Sequence, residues 1–285
     1  MLRYLTLIFY GVFGIGCIYA FLLIFCFSTF KIPSDSMEPQ LQTGDQVLVN
    51  KWIAGPRLFN IFASMKGKRV DIYRVPGVGQ IKRNDILVFN YPHPYSWERI
   101  VMHIMQYYIK RCLGLPGDSI RIEQGFYRNN HTKEPLGNVE SQANLSRQKA
   151  DRMPDGVYRC FPFDSTFNWN VHDFGPLYIP RKDRITVNQT DSKLYKQLIE
   201  WESKDSLSWK DSKVYIGDKQ VRQYQFQSNY YFVAGDKTEN SRDSRYLGLI
   251  PEEFIVGVAW KVWKSVDPYT GEYRKGRFWK NIRNN

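Results

Sequence analysis

A chain of 285 residues can bury a substantial core, either as one large domain or as a core with an insertion. Its aromatic content of 16% favours strands and interfaces over a helical bundle, and its formal net charge of +12 suits an anionic partner, either nucleic acid or an acidic lipid surface. The four cysteines are too few for a disulfide scaffold, nothing in the spacing of Cys112 and Cys160 indicates that they pair, and the lack of a CxxC motif or Cys/His cluster argues against a zinc site.

The first predicted element is an apolar helix. No charged residue occurs between Arg3 and Lys31, and a helix over Tyr4 to Phe30 would be about 40 Å long, enough to span a bilayer with tilt. The run is longer than the apolar part of a signal peptide, and no A-x-A-like cleavage site follows it. We therefore predict an uncleaved membrane anchor over residues 1–30. Charge counting leaves its orientation open, because long domains translocate largely regardless of charge.

The segment after this helix presents two hydroxyl groups between prolines. Pro33 and Pro39 have a fixed φ and keep their preceding residues out of helical conformation. Ser34 and Ser36 would then lie on the same side of an extended segment. Taken alone, a stiff linker at a membrane edge is the simpler interpretation of this segment.

Most of the remaining chain is predicted to be β structure. Apolar alternation indicates a first part of a β core over residues 31–123 and a second part over residues 213–264. The strand candidates are Asp45–Trp52, Arg69–Val75, Asp85–Tyr91, His103–Arg111, Asp118–Glu123, Tyr230–Ala234 and Phe254–Trp263, with a hairpin over Lys213–Phe226. The sequence therefore predicts a mainly β fold.

Two regions lie outside this predicted β core. Residues 124–212 are polar, Asn-rich and irregular, which is typical of a small inserted subdomain or of long loops. Within them, Ser192 to Glu202 has apolar residues at i,i+4 spacing and is predicted to form one short structural helix. Residues 265–285 form a basic tail, for which a solvated conformation is the first interpretation and contact with lipid headgroups the second.

A serine nucleophile needs a base, and none of the four histidines stands in a recognisable triad setting. A lysine in an apolar strand is the alternative: Lys110 has apolar neighbours on its amino side, while Arg111 must point the other way in a strand. An isolated strand lysine is more often part of a solvated face or guards a sheet edge. The polar loop from Gly235 to Gly248 follows another apolar strand and carries Ser241, and such a loop taken alone is usually just solvated.

Together these stretches resemble the type I signal peptidases, which are membrane-anchored Ser–Lys endopeptidases. The family's serine box P-S-x-S-M-x-P is matched by Pro33 to Pro39, and its lysine box resembles Tyr108 to Asp118. The last box, G-D-x-x-x-N-S-x-D-S-R, is matched by Gly235 to Arg245, and Asn84 to Phe89 is a weaker fourth match. The four boxes stand in the family's order and follow an apolar run.

The chain departs from the family pattern at several positions. Asp35 stands where glycine is common and Gln40 where threonine is common, and residues 237–239 read Lys-Thr-Glu where Asn-Arg-Asp is usual. Asp35 matters most, because an anion directed at the nucleophile would disfavour an oxyanion. In an extended segment its side chain should point away from Ser34 and Ser36.

The resemblance implies a role for each matched residue. Ser36 would attack the scissile carbonyl and form an acyl-enzyme, and Lys110 would be the general base, which requires burial to lower its pKa. Ser241 would orient the Lys110 amine, and the Ser36 backbone N–H and the Ser34 hydroxyl would hold the oxyanion. The remaining implied residues are two structural ion pairs, Asp243–Arg245 and Asp236–Arg111, and the apolar walls of a substrate groove, Ile32, Pro33, Tyr108 and Ile109.

The resemblance also implies the fold, the substrate and the location. An antiparallel β catalytic domain with an inserted subdomain would follow a single transmembrane helix, with the N-terminus inside and the domain outside the bacterial cytoplasmic membrane. Secretory preproteins with small residues at −1 and −3 would bind extended along a strand edge. Membrane lipids are the second expected partner, whereas no metal, other cofactor or nucleic acid is expected.

Two alternatives remain open. The first keeps the chemistry and changes the substrate: a dedicated Ser–Lys maturation protease, such as the pilin-maturation peptidases of conjugation systems. The second is a catalytically silent, membrane-tethered basic β protein, which leaves the Ser–Lys spacing unexplained.

Overall fold

The computed structural model describes residues 2–60, 62–63 and 72–282, and most of its elements are antiparallel strands, which confirms the predicted mainly β class. The chain divides into two units. The first takes residues 1–33, 44–81 and 256–285, as far as these are described, and the second takes residues 34–43 and 82–255. Because each unit collects separate stretches of sequence, neither is a continuous segment of the chain.

The strands are β1 (Phe27–Lys31), β2 (Asp45–Asn50), β3 (Arg57–Leu58), β4 (Tyr73–Arg74), β5 (Ile86–Asn90), β6 (Tyr107–Gly114), β7 (Ser119–Glu123), β8 (Phe126–Asn129), β9 (Phe174–Tyr178), β10 (Arg184–Thr186), β11 (Leu207–Lys210), β12 (Lys213–Ile216), β13 (Lys219–Val221), β14 (Gln223–Gln225), β15 (Tyr230–Ala234), β16 (Ile250–Pro251), β17 (Ile255–Ser265) and β18 (Lys280–Asn281). The helices are α1 (Leu2–Phe21), α2 (Val139–Ser146), α3 (Asp155–Tyr158), α4 (Asp191–Ser203) and α5 (Ser244–Leu247). Short 3₁₀ turns cover Ala150–Arg152, Thr238–Asn240, Glu252–Phe254 and Lys275–Arg277.

The N-terminal apolar run is only partly helical. Helix α1 continues into a π-helical turn over Leu22–Cys26, and the next residues form β1. The helix predicted as far as Phe30 is therefore wrong at its C-terminal end, because Phe27 to Lys31 pair antiparallel with β2 and this pairing decides the conformation of a β-prone Phe-Ser-Thr-Phe sequence. Within the described part of the chain, none of the helices combines the length and the apolar character that spanning a bilayer requires.

The first unit is built on an antiparallel sheet in which β2 pairs with β1 and with β17, and β17 also pairs with β18. Val47 and Val49 of β2 are fully buried and alternate with half-buried residues, as the sequence pattern predicts. The small β3–β4 hairpin also belongs to this unit. It contains the described part of the strand predicted over Arg69 to Val75, whose first three residues lie outside the described ranges.

A few buried side chains anchor the C-terminal segment to the first unit. The side chain of Ile282 is buried, and the Arg277 guanidinium donates from Nε to the buried Asp45 carboxylate at 2.9 Å. Most of the described residues of 265–282 are exposed, as a solvated tail predicts, while the buried Arg277 and Ile282 side chains tie this segment to the first unit.

The second unit is built on the antiparallel strands β5, β6, β15 and β16. All residues of β5 and β15 are buried, as expected for core strands. The strand predicted from His103 begins only at Tyr107 and extends to Gly114, because pairing with β5 starts at Tyr107. In this register Lys110 lies opposite Leu87, and Arg111 lies opposite both Ile86 and Ala234.

Residues 124–212 contain more regular structure than the single helix that was predicted. They hold α2, α3 and α4, together with β8 to β11. Helix α4 buries Leu194, Tyr195, Leu198 and Ile199, which is the predicted apolar face. The hairpin predicted after Lys213 forms as β12 and β13, but β12 also pairs with β11 in a separate three-stranded sheet. The second part of the predicted core therefore begins at β15 and not at residue 213.

Candidate active site

The segment with the two predicted serines belongs to the second unit and forms a bend followed by a turn. The Leu41 N–H donates to the Met37 carbonyl at 2.8 Å, and the side chains of both residues are buried. The predicted extended conformation is therefore wrong for residues 34–40, because burial of these two side chains requires the chain to turn. Ser34 is exposed and Ser36 half-buried, and their hydroxyl oxygens are 3.5 Å apart.

Strand β6 brings a buried lysine to this turn. The Lys110 side chain leaves the strand opposite Leu87, the residue is only 4% exposed, and its Nζ lies 2.5 Å from Ser36 Oγ. Burial lowers the pKa of Lys110 from 10.5 to about 8, although the negative charge of Asp243 acts in the opposite direction. An amine with this pKa is partly neutral near pH 8 and can accept a proton from the serine hydroxyl.

Arg111, the next residue of β6, points to the other face of the strand as alternation requires. Its Nε and Nη2 each donate to a different carboxylate oxygen of Asp236 at 2.6 Å. Asp236 is buried and directly follows Gly235 at the end of β15. This bidentate pair therefore ties the lysine strand to the loop after β15.

The loop after β15 is held by a second, fully buried ion pair. Arg245 donates from Nε and Nη2 to the two carboxylate oxygens of Asp243 at 2.9 and 2.8 Å. Asp243 also accepts the Gly235 N–H at 3.0 Å. Burial alone would raise the pKa of Asp243, but the Arg245 charge and hydrogen bonds outweigh it and hold that pKa below its usual value. Both ends of the loop are thus fixed to each other.

Ser241 lies in this loop beside the main chain of Ser36. Its Oγ is buried, and its hydroxyl contributes to holding the pKa of Asp243 below its usual value. A Cβ placed on Gly235 would be 2.1 Å from Ser241 Oγ and 2.6 Å from the Ser36 carbonyl oxygen, so all three residues meet at one point. The geometry brings Ser241 next to the Ser36 main chain, and its predicted hydrogen bond to the Lys110 amine stays a prediction.

Gly235 is the residue whose importance the sequence reasoning missed. The sequence pattern gives this glycine no role beyond its place in the last box. A glycine directly after a buried strand is nevertheless typical of a position where another part of the backbone comes close. The described structure gives the reason, since no side chain fits between the loop and the Ser36 carbonyl.

The Asp35 carboxylate is paired with the loop after β15. It forms an ion pair with the Lys237 ammonium and accepts the Asn240 side-chain N–H at 3.1 Å. The Lys237 hydrogen bond is the main reason that the pKa of Asp35 lies below its usual value. The Lys237 backbone N–H also donates to the Ser36 carbonyl at 3.1 Å. Two positions that depart from the resembled pattern are therefore joined to each other.

The four residues predicted to wall a substrate groove fall into both units. Ile32 is buried and Pro33 exposed in the first unit. Tyr108 and Ile109 are half-buried on β6 in the second unit, where the Tyr108 ring stacks on Tyr91 at 4.6 Å between centroids. Their shared role in a groove stays a prediction.

The described residues include no group of three or more His, Cys, Asp or Glu side chains that could hold a metal ion. Cys112 and Cys160 are both buried as free thiols. What the second unit does bring together is a hydroxyl and an amine at hydrogen-bond distance. Such a pair can perform nucleophilic attack with base assistance.

Comparison with known proteins gives a family and several relatives. The family model described as signal peptidase, peptidase S26, matches residues 4–263. Signal peptidase I of Buchnera aphidicola subsp. Acyrthosiphon pisum is 29% identical over 88% of this chain and 73% of its own length, and that of Pseudomonas aeruginosa is 28% identical over 85% and 66%. A crystal structure of a signal peptidase I from Enterococcus faecalis is 17% identical over 64% of this chain and 98% of its own, with a TM-score of 0.29, a value too low to indicate a shared fold.

Proposed function

The chain belongs to the signal peptidase family, peptidase S26, and from this premise we propose that it is a signal peptidase I that cleaves secretory preproteins with a Ser36–Lys110 dyad. The observation that carries the proposal is the 2.5 Å separation between Ser36 Oγ and the Nζ of a buried lysine whose pKa is about 8. A surface lysine would be protonated at neutral pH and could not take the serine proton.

In the proposed reaction the neutral Lys110 amine takes the Ser36 proton while Ser36 Oγ attacks the scissile carbonyl. The Ser36 backbone N–H and the Ser34 hydroxyl hold the oxyanion, and the distance of 3.5 Å between the two serine hydroxyl oxygens supports this role of Ser34. The Lys110 ammonium then gives its proton to the leaving amine, which leaves an ester on Ser36. Water, with Lys110 again as base, hydrolyses this ester.

The other predicted residues support the dyad. Ser241 orients the Lys110 amine, and the Asp243–Arg245 and Arg111–Asp236 pairs fix the loop and the strand that carry them. Tyr108 and Ile109 of the second unit line the groove that admits small residues at −1 and −3, because a larger side chain would clash there. Each of these roles rests on the resemblance of the boxes together with the contacts described above.

The proposed location is the bacterial cytoplasmic membrane, with the N-terminus inside and the catalytic domain outside. The apolar side chains described along α1 are exposed, among them Leu7, Phe9 and Phe13. The first unit also exposes Phe278 and Trp279, and the Lys261 ammonium lies 4.9 Å from the Trp279 ring centre. Aromatic and basic side chains of this kind suit anionic lipid headgroups. Release of the chain from membranes by an alkaline wash would contradict attachment through α1.

The enzymatic proposal is tested by cleavage of a purified preprotein. We expect Ser36→Ala and Lys110→Ala each to lower kcat by about 10⁴-fold or more, because the nucleophile and its base act as a unit. Ser34→Ala should lower kcat by about 10²-fold, since it removes one oxyanion donor. The matched controls are Ser206→Ala and Lys213→Ala, which change exposed residues outside the site. Wild-type turnover in either dyad variant would contradict the mechanism.

Substrate range separates the alternatives. Cleavage of several unrelated preproteins supports a general signal peptidase, whereas cleavage of a single partner supports the dedicated maturation protease. A wild-type chain that cleaves no preprotein but binds anionic vesicles would support the catalytically silent basic β protein.

A further inference from the structure

Ser36 lies in a turn and not in a strand ladder, so something other than a sheet must fix its position. Three contacts converge on residues 35 and 36 from the loop after β15. They are the Lys237–Asp35 ion pair, the Asn240 amide that donates to Asp35 at 3.1 Å, and the Lys237 N–H that donates to the Ser36 carbonyl at 3.1 Å. Two side chains and one backbone group thus hold two consecutive residues.

The same loop is held from its other side by helix α2 of the insertion. Ser141 is buried, accepts the Thr238 N–H at 2.7 Å and donates to a Glu239 carboxylate oxygen at 2.5 Å. Helix α2 is itself fixed to the neighbouring strand, because the Gln142 side-chain oxygen accepts the Tyr127 N–H of β8 at 2.9 Å. A continuous path of hydrogen bonds therefore runs from β8 through α2 to the loop.

Three of the side chains in these contacts, those of Asp35, Lys237 and Glu239, stand where the chain departs from the family pattern. Asp35 replaces a common glycine, and Lys237, Thr238 and Glu239 replace Asn-Arg-Asp. An ion pair between exposed residues typically contributes little to stability. Asp35 and Lys237 are about one third exposed, so a purely stabilising role explains neither their pairing nor the additional Asn240 contact.

We propose that Asp35 and Lys237 are positioning residues that hold Ser36 against Lys110, and that Ser141 of the insertion fixes the Lys237 side of this clamp. The inference rests on the proposed function. In this proposal the insertion fixes the position of the loop after β15, and that loop fixes the position of Ser36.

The test compares kcat and KM for preprotein cleavage in Asp35→Asn, Lys237→Met and the exchange variant Asp35→Lys with Lys237→Asp. Each single variant should lower kcat by about 10- to 100-fold with KM within about twofold, because misplacing a nucleophile affects turnover more than binding. The exchange variant should recover most of the loss. Lys193→Met is the matched control. Lys193 lies on α4 and forms an ion pair with Asp164 that is about as exposed as the Lys237–Asp35 pair, so this substitution should leave kcat unchanged.

The pH dependence of kcat in the two single variants distinguishes a positioning role of Asp35 from an effect of its charge. Asp35 also favours the protonated form of Lys110 by its charge, so an electrostatic role would change the pH dependence of the rate and leave the high-pH plateau unchanged. Loss of kcat at all pH values in both single variants supports the clamp. Wild-type plateau rates in both, or opposite effects of the two substitutions, would overturn it.

Amide hydrogen exchange tests the clamp by a measurement that does not depend on preprotein cleavage. Asp35→Asn and Ser141→Ala should both speed amide exchange in residues 37–41 by about tenfold or more, whereas Lys193→Met should not. Unchanged exchange in both would overturn the clamp even if the wild type proved inactive. In contrast, an inactive wild type, or a Ser36→Ala variant with wild-type turnover, contradicts the proposed function and leaves the exchange result to decide on the clamp.

Discussion

At the scale of single residues, the property that matters most for the proposed reaction is the protonation state of the Lys110 amine. Burial on β6 disfavours the ammonium form, while the carboxylates of Asp243 and Asp236 favour it, and burial is the larger effect. Each carboxylate is paired with an arginine, which limits its attraction for the lysine. The Arg111–Asp236 and Arg245–Asp243 pairs therefore matter to the proton affinity of Lys110, the proposed base, as well as to the loop.

This balance gives a pH dependence with a definite sign. A base works in its deprotonated form, so with a pKa of about 8 the active fraction falls about tenfold for each pH unit below that value. We expect kcat/KM to rise with pH up to about 8 and to be flat above it, in a profile measured from pH 5.5 to 10. An apparent pKa near 10.5 would show that Lys110 is solvated in the working enzyme.

The sequence predicted Ser36 and Lys110 through boxes that resemble a known family, and the structure brings their side chains within hydrogen-bond distance. The sequence did not identify the partners of Asp35. Lys237 and Asn240 lie about 200 residues further along the chain, and no local pattern encodes a contact over such a distance. Each departure from the pattern could be noted singly, but only the fold shows that they compensate each other.

At the scale of elements, the end of β15 is the most constrained place in the site. Ala234 closes the strand opposite Arg111, and Gly235 then passes the Ser36 carbonyl with no room for a side chain. The turn that carries Ser36, strand β6 and the loop that carries Ser241 thus meet at one backbone position.

Gly235→Ala tests this approach. Because the new Cβ would lie 2.6 Å from a backbone oxygen, the loop or the turn must move, and we expect kcat to fall about 100-fold. The free energy of unfolding should fall by about 1–3 kcal/mol through overpacking, as measured by urea denaturation. Gly156→Ala is the control, since a Cβ there meets no atom within 4 Å. A fully active Gly235→Ala enzyme would contradict the geometry.

Strands were predictable where the sequence shows a clear apolar pattern. They were less predictable where pairing with a distant part of the chain determines the local conformation. Strands β2, β5 and β15 followed from their apolar patterns. The end of the N-terminal helix did not, since an uncharged run gives no sign that Phe27 to Lys31 will pair with β2. The turn after Ser34 was not predicted, because the prolines in this segment indicate extended backbone. Burial of the Met37 and Leu41 side chains, which accompanies the turn, cannot be recognised from this sequence pattern.

At the scale of the whole molecule, the two units are interleaved along the chain. The first unit needs residues from both ends, and its C-terminal segment carries the Arg277 guanidinium to the buried Asp45 carboxylate across 232 positions. The basic tail is therefore part of the fold. At least one of the 40 Lys and Arg residues thus serves internal pairing, which leaves the net charge of +12 unchanged because the Asp45 carboxylate is paired as well.

Arg277→Met should destabilise the first unit. Removing one partner of a buried ion pair typically costs about 3–5 kcal/mol, because the remaining carboxylate loses its compensating charge. Arg274→Met removes a more exposed pair with Asp267 and should cost no more than about 1 kcal/mol. Urea unfolding of both variants gives the comparison, and equal midpoints would contradict the assigned importance of Arg277.

The pairing of β2 with β17 also sets an order of events during synthesis. A ribosome that has made β2 must add about 200 more residues before β17 emerges, which takes roughly 10–40 s at typical elongation rates. During that interval one edge of β2 has no strand to pair with, and the N-terminal sheet stays incomplete. Nascent chains stalled before residue 255 should therefore be cut by protease within the first unit, whereas the released full-length chain should resist.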